Sequence, residues 1–279
     1  MKQIDAAVHS NQEVAPGLWL MWLHAPEIAA SARPGQFLMV RCSDSALGGQ
    51  PLLRRSLSIY RAGAPDGPST GPSTSPGQAS ATRTGRPTHV AMLFSSQGPG
   101  TALLAHRRPG DTVDIIGPLG RGFSVRSQST NLLLVAQGWG FSPVAALADE
   151  ARKKGKNVTM LVGAVTQGQM YPISLLPPEA EVEVATEDGS AGRQGHVTDI
   201  VTDYWDWSDQ VFAAGPLPMY RALAEVAYRR GWSRSVQALA DVGMACGVGA
   251  CYGCTIETRR GPRLACRDGP RFNLRDLVV

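Results

Sequence analysis

The chain has 279 residues, of which 43% are hydrophobic and 18% charged, with a formal net charge of +4. That apolar fraction builds a core and excludes global disorder, and so small a positive surplus, spread along the chain, does not point to nucleic acid. No apolar run approaches the roughly 18–20 residues that cross a bilayer, and the opening MKQIDAAVHSNQEVAPG has no hydrophobic segment, so a cytoplasmic protein is expected.

Apolar-rich stretches at 17–23, 36–41, 56–60, 89–94 and 112–116 are punctuated by Pro16, Pro34-Gly35 and Pro109-Gly110. Short strands at this spacing predict an antiparallel barrel or sandwich, with one helical piece at 101–106. Residues 61–88 contain no large aliphatic or aromatic side chain and read as a flexible surface loop. From Asn131 the pattern changes. The run 132–137 suits a buried parallel strand, and Ser142-Pro143 suits a helix start, with the helix stopping at Gly155. Strand-like 158–162, 182–185 and 210–213 alternate with helix-like 197–202 and 219–230, which predicts a doubly wound parallel sheet. The last 45 residues are rich in Gly and Cys. The expected organisation is a β barrel over 1–126 carrying the 61–88 insertion, an α/β domain over 127–234, and a small C-terminal domain over 235–279.

Four of the five cysteines fall in the last 34 residues. Cys246, Cys251, Cys254 and Cys266 have the spacing C-x4-C-x2-C-x11-C, the plant-type [2Fe–2S] pattern. Gly247, Gly249 and Gly253 would let the backbone take positive φ and bring N–H groups to the sulfurs. A structural zinc site also uses four thiolates and stays as the alternative, although such sites more often pair two C-x2-C units and only one is present. Cys42 is expected as a buried strand thiol. The five histidines, His9, His24, His89, His106 and His196, stand in unrelated contexts and are expected as ordinary polar residues.

Leu52-Leu53-Arg54-Arg55-Ser56-Leu57-Ser58-Ile59 resembles the R-x-x-S flavin-binding segment of the ferredoxin–NADP reductase superfamily. The resemblance implies that Arg55 meets the flavin diphosphate and Ser58 the flavin ring, with Ser56 and Leu57 between them. A guanidinium offers a fork to phosphate, and a hydroxyl can bond a ring nitrogen. Ser56 stands where the family usually has Pro. The same resemblance adds Leu93, Phe94 and Ser95 to the flavin contacts. Gly98-Pro99-Gly100-Thr101 places N–H groups and a hydroxyl at a helix start, which is either a phosphate seat or a plain capping turn. Gly117-Pro118-Leu119-Gly120-Arg121-Gly122-Phe123 resembles the close of the flavin barrel.

Gln137-Gly138-Trp139-Gly140-Phe141-Ser142-Pro143 resembles the G-x-G-x-x-P turn that receives a nicotinamide nucleotide, where Gly138 and Gly140 allow close approach to a pyrophosphate. Ala214-Gly215-Pro216 resembles the C-G-P segment beside the nicotinamide, with Ala in place of Cys. Gln137, Trp139 and Ala214 depart from the family pattern, so a weaker grip on NAD is expected.

Taken in order, these motifs cover nearly the whole chain, which looks like the electron-transfer subunits of type 1B dihydroorotate dehydrogenase. Cys246 supports this, because related transhydrogenase and sulfide-dehydrogenase subunits typically have Asp there. The resemblance implies an oxidoreductase subunit with FAD, a [2Fe–2S] cluster on the four cysteines, and NAD as electron acceptor. It implies an FMN-containing catalytic partner in a heterotetramer of two of each, acting in de novo pyrimidine synthesis. The chain itself is not expected to bind orotate. A sister flavin/iron–sulfur reductase subunit with another partner, or a zinc-stapled non-redox binding protein, is the alternative.

Overall fold

A computed structural model describes residues 1–43, 51–65 and 86–279. The N-terminal strands are β1 (Lys2–Ala15), β2 (Leu18–His24), β3 (Phe37–Val40), β4 (Arg55–Gly63), β5 (His89–Ser95) and β6 (Thr112–Leu119). They close a barrel in the order β1-β2-β5-β4-β3-β6. Two short helices, α1 (Pro26–Ala29) and α2 (Pro99–Ala105), stand in its connections. Alternation drives the closure. In β6 the residues Val113, Ile115 and Gly117 point inward, and Met21, Leu23, Leu38, Val40, Ile59 and Met92 fill the same core.

Strand β1 has no counterpart among the expected elements. Only Ala6 and Val8 of its fourteen residues are fully buried, so its alternation is too weak to read. The strand bulges between Val8 and Ser10, which places His9 at the irregularity. His24 and His89 face each other across β2 and β5, and the His9 and His24 rings each meet His89, at 4.9 and 5.0 Å. The three contexts that look unrelated in sequence are therefore neighbours. The expected 61–88 loop also begins later, because residues 61–63 continue β4; positions 66–85 of it lie outside the described residues.

The second unit is a seven-stranded sheet. Its strands are β7 (Asn131–Gln137), β8 (Asn157–Ala164), β9 (Glu181–Thr186), β10 (Arg193–Gln194), β11 (Gln210–Ala214), β12 (Ser235–Leu239) and β15 (Arg271–Asn273), in the order β10-β9-β8-β7-β11-β12-β15. All pairs are parallel except β12–β15. The interiors of β7, β8 and β11 are buried throughout, as strands covered on both faces must be. Helix α3 (Phe141–Lys153) covers one face; α4 (Val197–Tyr204) and α5 (Leu217–Arg229) cover the other. Strand β12 lies just past the boundary expected at 234/235, yet it pairs with β11 inside this sheet. Among the described residues no helix is long and apolar enough to cross a membrane.

One apolar core joins the two units. Leu18, Trp22, Tyr60 and Phe123 from the barrel side pack with Phe141, Val144, Leu147 and Ala148 of α3 and with Leu132 and Leu134 of β7. Arg61 pairs with Asp149 of α3 at 3.0 Å. The connecting segment is held by two buried amides. Gln237 accepts the Ser124 N–H (2.9 Å) and donates to its carbonyl (2.7 Å); Gln210 donates to the same carbonyl (3.0 Å) and accepts the Arg126 N–H (3.0 Å).

The remaining C-terminal residues form a hairpin of β13 (Thr255–Ile256) and β14 (Arg263–Leu264), which packs against the barrel through Phe37, Met39 and Leu119.

Two consequences can be measured. Gly140 sits where β7 turns into α3, and a Cβ there would fall 1.8 Å from the Ala214 carbonyl oxygen. Gly140→Ala is expected to cost roughly 1–3 kcal/mol or more, since the Ala214 backbone it would strike cannot give way as a flexible side chain can; a denaturation midpoint equal to the parent's would refute the close approach. In the histidine cluster, burial and then the charges of His9 and His24 hold His89 below its ordinary value of 6.5. The unfolded chain therefore binds the proton more readily, and stability is expected to fall as pH drops below about 6.5. Denaturation midpoints between pH 7 and 5.5 should show that slope, and His89→Gln should flatten it.

Candidate functional site

Where the barrel meets the sheet, a cleft of about 740 Å³ opens. This lies in the usual range for small-molecule sites, roughly 300–1,000 Å³. Ser56, Leu57 and Ser58 of β4 and Leu93, Phe94 and Ser95 of β5 form one wall, with Thr101 at its end. Gly138, Trp139 and Ser142 face them from the β7–α3 turn, and 239–242 with Met244 close the remaining side. Seven of the expected flavin residues and one of the expected nucleotide residues thus share one cavity. The Ser142 hydroxyl is buried with no hydrogen-bond partner, an orphan that a polar ligand in the cleft would satisfy.

Arg55 and Gly100 lie just behind this wall. The Arg55 guanidinium donates to the Leu53 carbonyl at 2.8 Å, and its Nε lies 3.3 Å from where a Gly100 Cβ would stand, so Gly100 makes room for it. The buried Cys42 thiol lies past the end of β3 and packs at the same place. Thr101 acts locally. Its Oγ1 accepts the N–H groups of Gln97 (3.1 Å) and Gly98 (3.2 Å), which closes the first turn of α2.

The nucleotide-turn residues divide. Gly138 takes φ +55° and lines the cleft. Gly140 is buried against Ala214, so its lack of a side chain serves the packing of helix on strand. Gly215 and Pro216 do not line the cleft. The Gly215 N–H donates to Tyr220 Oη at 3.1 Å, and that hydroxyl donates to the Leu239 carbonyl at 2.5 Å. Gln137 reaches Glu187 at 3.5 Å, and His196 lies at 3.5 Å from the same carboxylate.

Several cleft residues carry no readable signal in the sequence. Tyr171 stacks on Phe141 (centroids 5.2 Å apart) and approaches Ser95 Oγ at 3.4 Å; burial pushes its phenol up. Asp241 stands exposed at the cleft edge, and desolvation there raises its carboxyl above the usual range. Neither sits in a motif; each reaches the cleft from a distant segment.

The cysteine loop lies beside the cleft. Cys254 and Cys266 are buried, Cys246 is half-buried and Cys251 is exposed, so one edge of the group faces solvent. Backbone N–H groups point at sulfur: Val248 to Cys246 (3.5 Å), Gly253 to Cys251 (3.4 Å) and Cys266 to Cys254 (3.5 Å). Burial works against the Cys246 thiolate, but such donors outweigh it and bring the group down to about 6. Gly247 and Gly249 take the expected positive φ; Gly253 does not, and Tyr252 carries φ 59° in its stead. Burial and the neighbouring Cys254 push the Cys266 thiol the other way, up to about 12, so it is Cys246 whose readily lost proton suits a soft metal centre. Phe37 belongs to both the cleft wall and the core under this loop.

Residues 242–278 match the iron–sulfur cluster binding domain of dihydroorotate dehydrogenase B. The chain is 33% identical over 277 residues to the dihydroorotate dehydrogenase B (NAD(+)) electron transfer subunit of Bacillus caldolyticus, covering 98% of this chain and 97% of that one. The same-named subunit of Desulforamulus reducens is 32% identical, covering 97% and 96%. Among solved structures, an NADH-dependent reduced ferredoxin–NADP oxidoreductase superposes with a TM-score of 0.77 at 24% identity, over 98% of this chain and 89% of that one. The ferredoxin reductase of carbazole 1,9a-dioxygenase gives 0.63 at 20% identity, over 85% and 68%, and both likenesses are of fold. With two relatives above 30% identity along almost its entire length, the chain belongs to the family of dihydroorotate dehydrogenase B electron transfer subunits.

Proposed function

We propose that this protein relays electrons from an FMN-containing dihydroorotate dehydrogenase catalytic subunit to NAD+, in de novo pyrimidine synthesis in the cytoplasm. The assembly would contain two copies of each subunit. The observation that carries the reading is the shared wall: the cysteine loop packs on Phe37, Met39 and Leu119, and Phe37 also lines the cleft. Two redox groups held there would be neighbours.

Cys246, Cys251, Cys254 and Cys266 would hold a [2Fe–2S] cluster. Ser56, Leu57, Ser58, Leu93, Phe94, Ser95 and Thr101 would hold FAD in the cleft, with Arg55 and Gly100 at its diphosphate end. Gly138, Gly140, Gly215 and Pro216 would form the nicotinamide-nucleotide side. The flavin supplies the step from single electrons to the pair that a nicotinamide accepts as hydride. The protein orients: hydroxyls and apolar side chains of β4 and β5 select a flat, partly polar ring, and the barrel core excludes water behind it.

A visible spectrum of protein purified without oxygen should show flavin and iron–sulfur bands; a colourless zinc protein would overturn the proposal. Arg55→Ala is expected to loosen FAD by roughly ten- to hundredfold, the worth of about 1.5–3 kcal/mol in a charge-assisted hydrogen bond. Equilibrium dialysis reads this directly, and unchanged retention would remove Arg55 from the diphosphate. Cys251→Ser should lose or distort the cluster while FAD stays, since a hard alkoxide replaces a soft thiolate. NADH-to-dye activity would then survive while dihydroorotate-to-NAD turnover with the added catalytic subunit collapses. Full turnover in that variant would take the cluster off the path.

A further inference from the structure

We propose that Asp241 is the residue through which a flavin in the cleft gains its proton when it is reduced one electron at a time, and loses it when it is oxidised that way, an inference that rests on the FAD reading above. Among the described residues lining the cavity, Asp241 is the only carboxylic acid, and no Lys, Arg or His lines it. The chemistry needs one such group. An oxidised flavin that receives two electrons singly must take up one proton, at N5, to reach its anionic reduced form. That N5 hydrogen later leaves with both electrons as hydride, so NAD+ becomes NADH and the flavin is oxidised again. Each electron pair arriving from a one-electron donor therefore consumes one proton, whereas the hydride step consumes none.

Asp241 is placed to supply it. It follows β12 directly, where the Leu239 carbonyl is held by Tyr220 and the Ala240 N–H donates to the Pro270 carbonyl at 2.8 Å. It is exposed at the edge of the cleft, so solvent can return the proton once it has been given away. Desolvation on the side that faces the cleft raises the carboxyl above its ordinary value, the direction a proton donor needs. The Trp139 indole Nε1, buried without a hydrogen bond of good geometry, lies close enough to draw that shift part of the way back. The other ionisable neighbours are phenols that stay neutral: Tyr171 in the cleft and Tyr220 beneath it, both pushed up by burial. Trp139, a departure from the family pattern, thereby acquires a role as a positioning residue that tunes the carboxyl.

The test uses FAD-loaded protein and separates the two half-reactions by stopped flow. NADH reduces the flavin by hydride; ferricyanide then oxidises it one electron at a time, which releases the proton. Asp241→Asn is expected to slow the one-electron half by at least about tenfold, with far less effect on the hydride half. General acid–base groups commonly contribute roughly 10²–10⁴-fold. The variant should also lose the bend that the parent shows in a plot of flavin potential against pH, and Asp241→Glu should restore both. Trp139→Phe should move the bend to higher pH. Equal slowing of both halves, or an unchanged pH profile in Asp241→Asn, would overturn the assignment. A parent protein that binds no FAD would overturn the reading beneath it as well, and the flavin absorbance distinguishes the two failures.

Discussion

The arrangement depends on one helix wedged between two sheets. Helix α3 shares an apolar core with the barrel through Trp22, Tyr60 and Phe123, and with the parallel sheet through Leu132 and Leu134. Because a packed interior does not slide continuously, that core sets where the N-terminus of α3 points. It points at the barrel wall, so the β7–α3 turn and strands β4 and β5 face one another across a single cleft. Gly140 is the tightest fit in the wedge. With any side chain there, the turn would be driven off Ala214 and the cleft would lose one wall.

The C-terminal residues use the same barrel from another side. Their hairpin and cysteine loop are too small to bury a core of their own, and they borrow Phe37, Met39 and Leu119 from β3 and β6. Strand β15 then returns to the edge of the parallel sheet beside β12. The cysteine segment is thus tied to both larger units, and Asp241 enters the cleft on the stretch that leads from sheet to loop.

How much of this can be read from the chain follows from how local each signal is. The cysteine spacing is a constraint within one loop, and Arg55-x-x-Ser58 lies within one strand, so both are visible without a fold. The buried runs of β7, β8 and β11 announce a parallel sheet because both faces are covered. Strand β1 gives no such sign, since pairing on both edges, rather than burial of side chains, holds it in place. Tyr171 and Asp241 are invisible for a different reason: nothing in their own neighbourhoods distinguishes them, and only tertiary packing brings them to the cleft. Gly140 is legible as a glycine that matters, but what it does is admit the Ala214 backbone. Tyr252 adopts the left-handed conformation that the neighbouring Gly253 could have taken, so the turn is offset by one residue.

The clasp of Gln210 and Gln237 on the segment that joins the two units bears on motion. A connector of this kind is a natural hinge, because its backbone belongs to no sheet. Here its polar groups at Ser124 and Arg126 are bonded to amides buried on β11 and β12, and opening the joint would leave the Gln210 and Gln237 amides without those partners. Each group stranded in this way costs about 1–3 kcal/mol. The two units therefore act as a fixed jig rather than as jaws. Hydride transfer tolerates only about 3–3.5 Å between reacting atoms. A frame clasped in this way favours one fixed gap, and leaves the selection of the right pose to the incoming nucleotide.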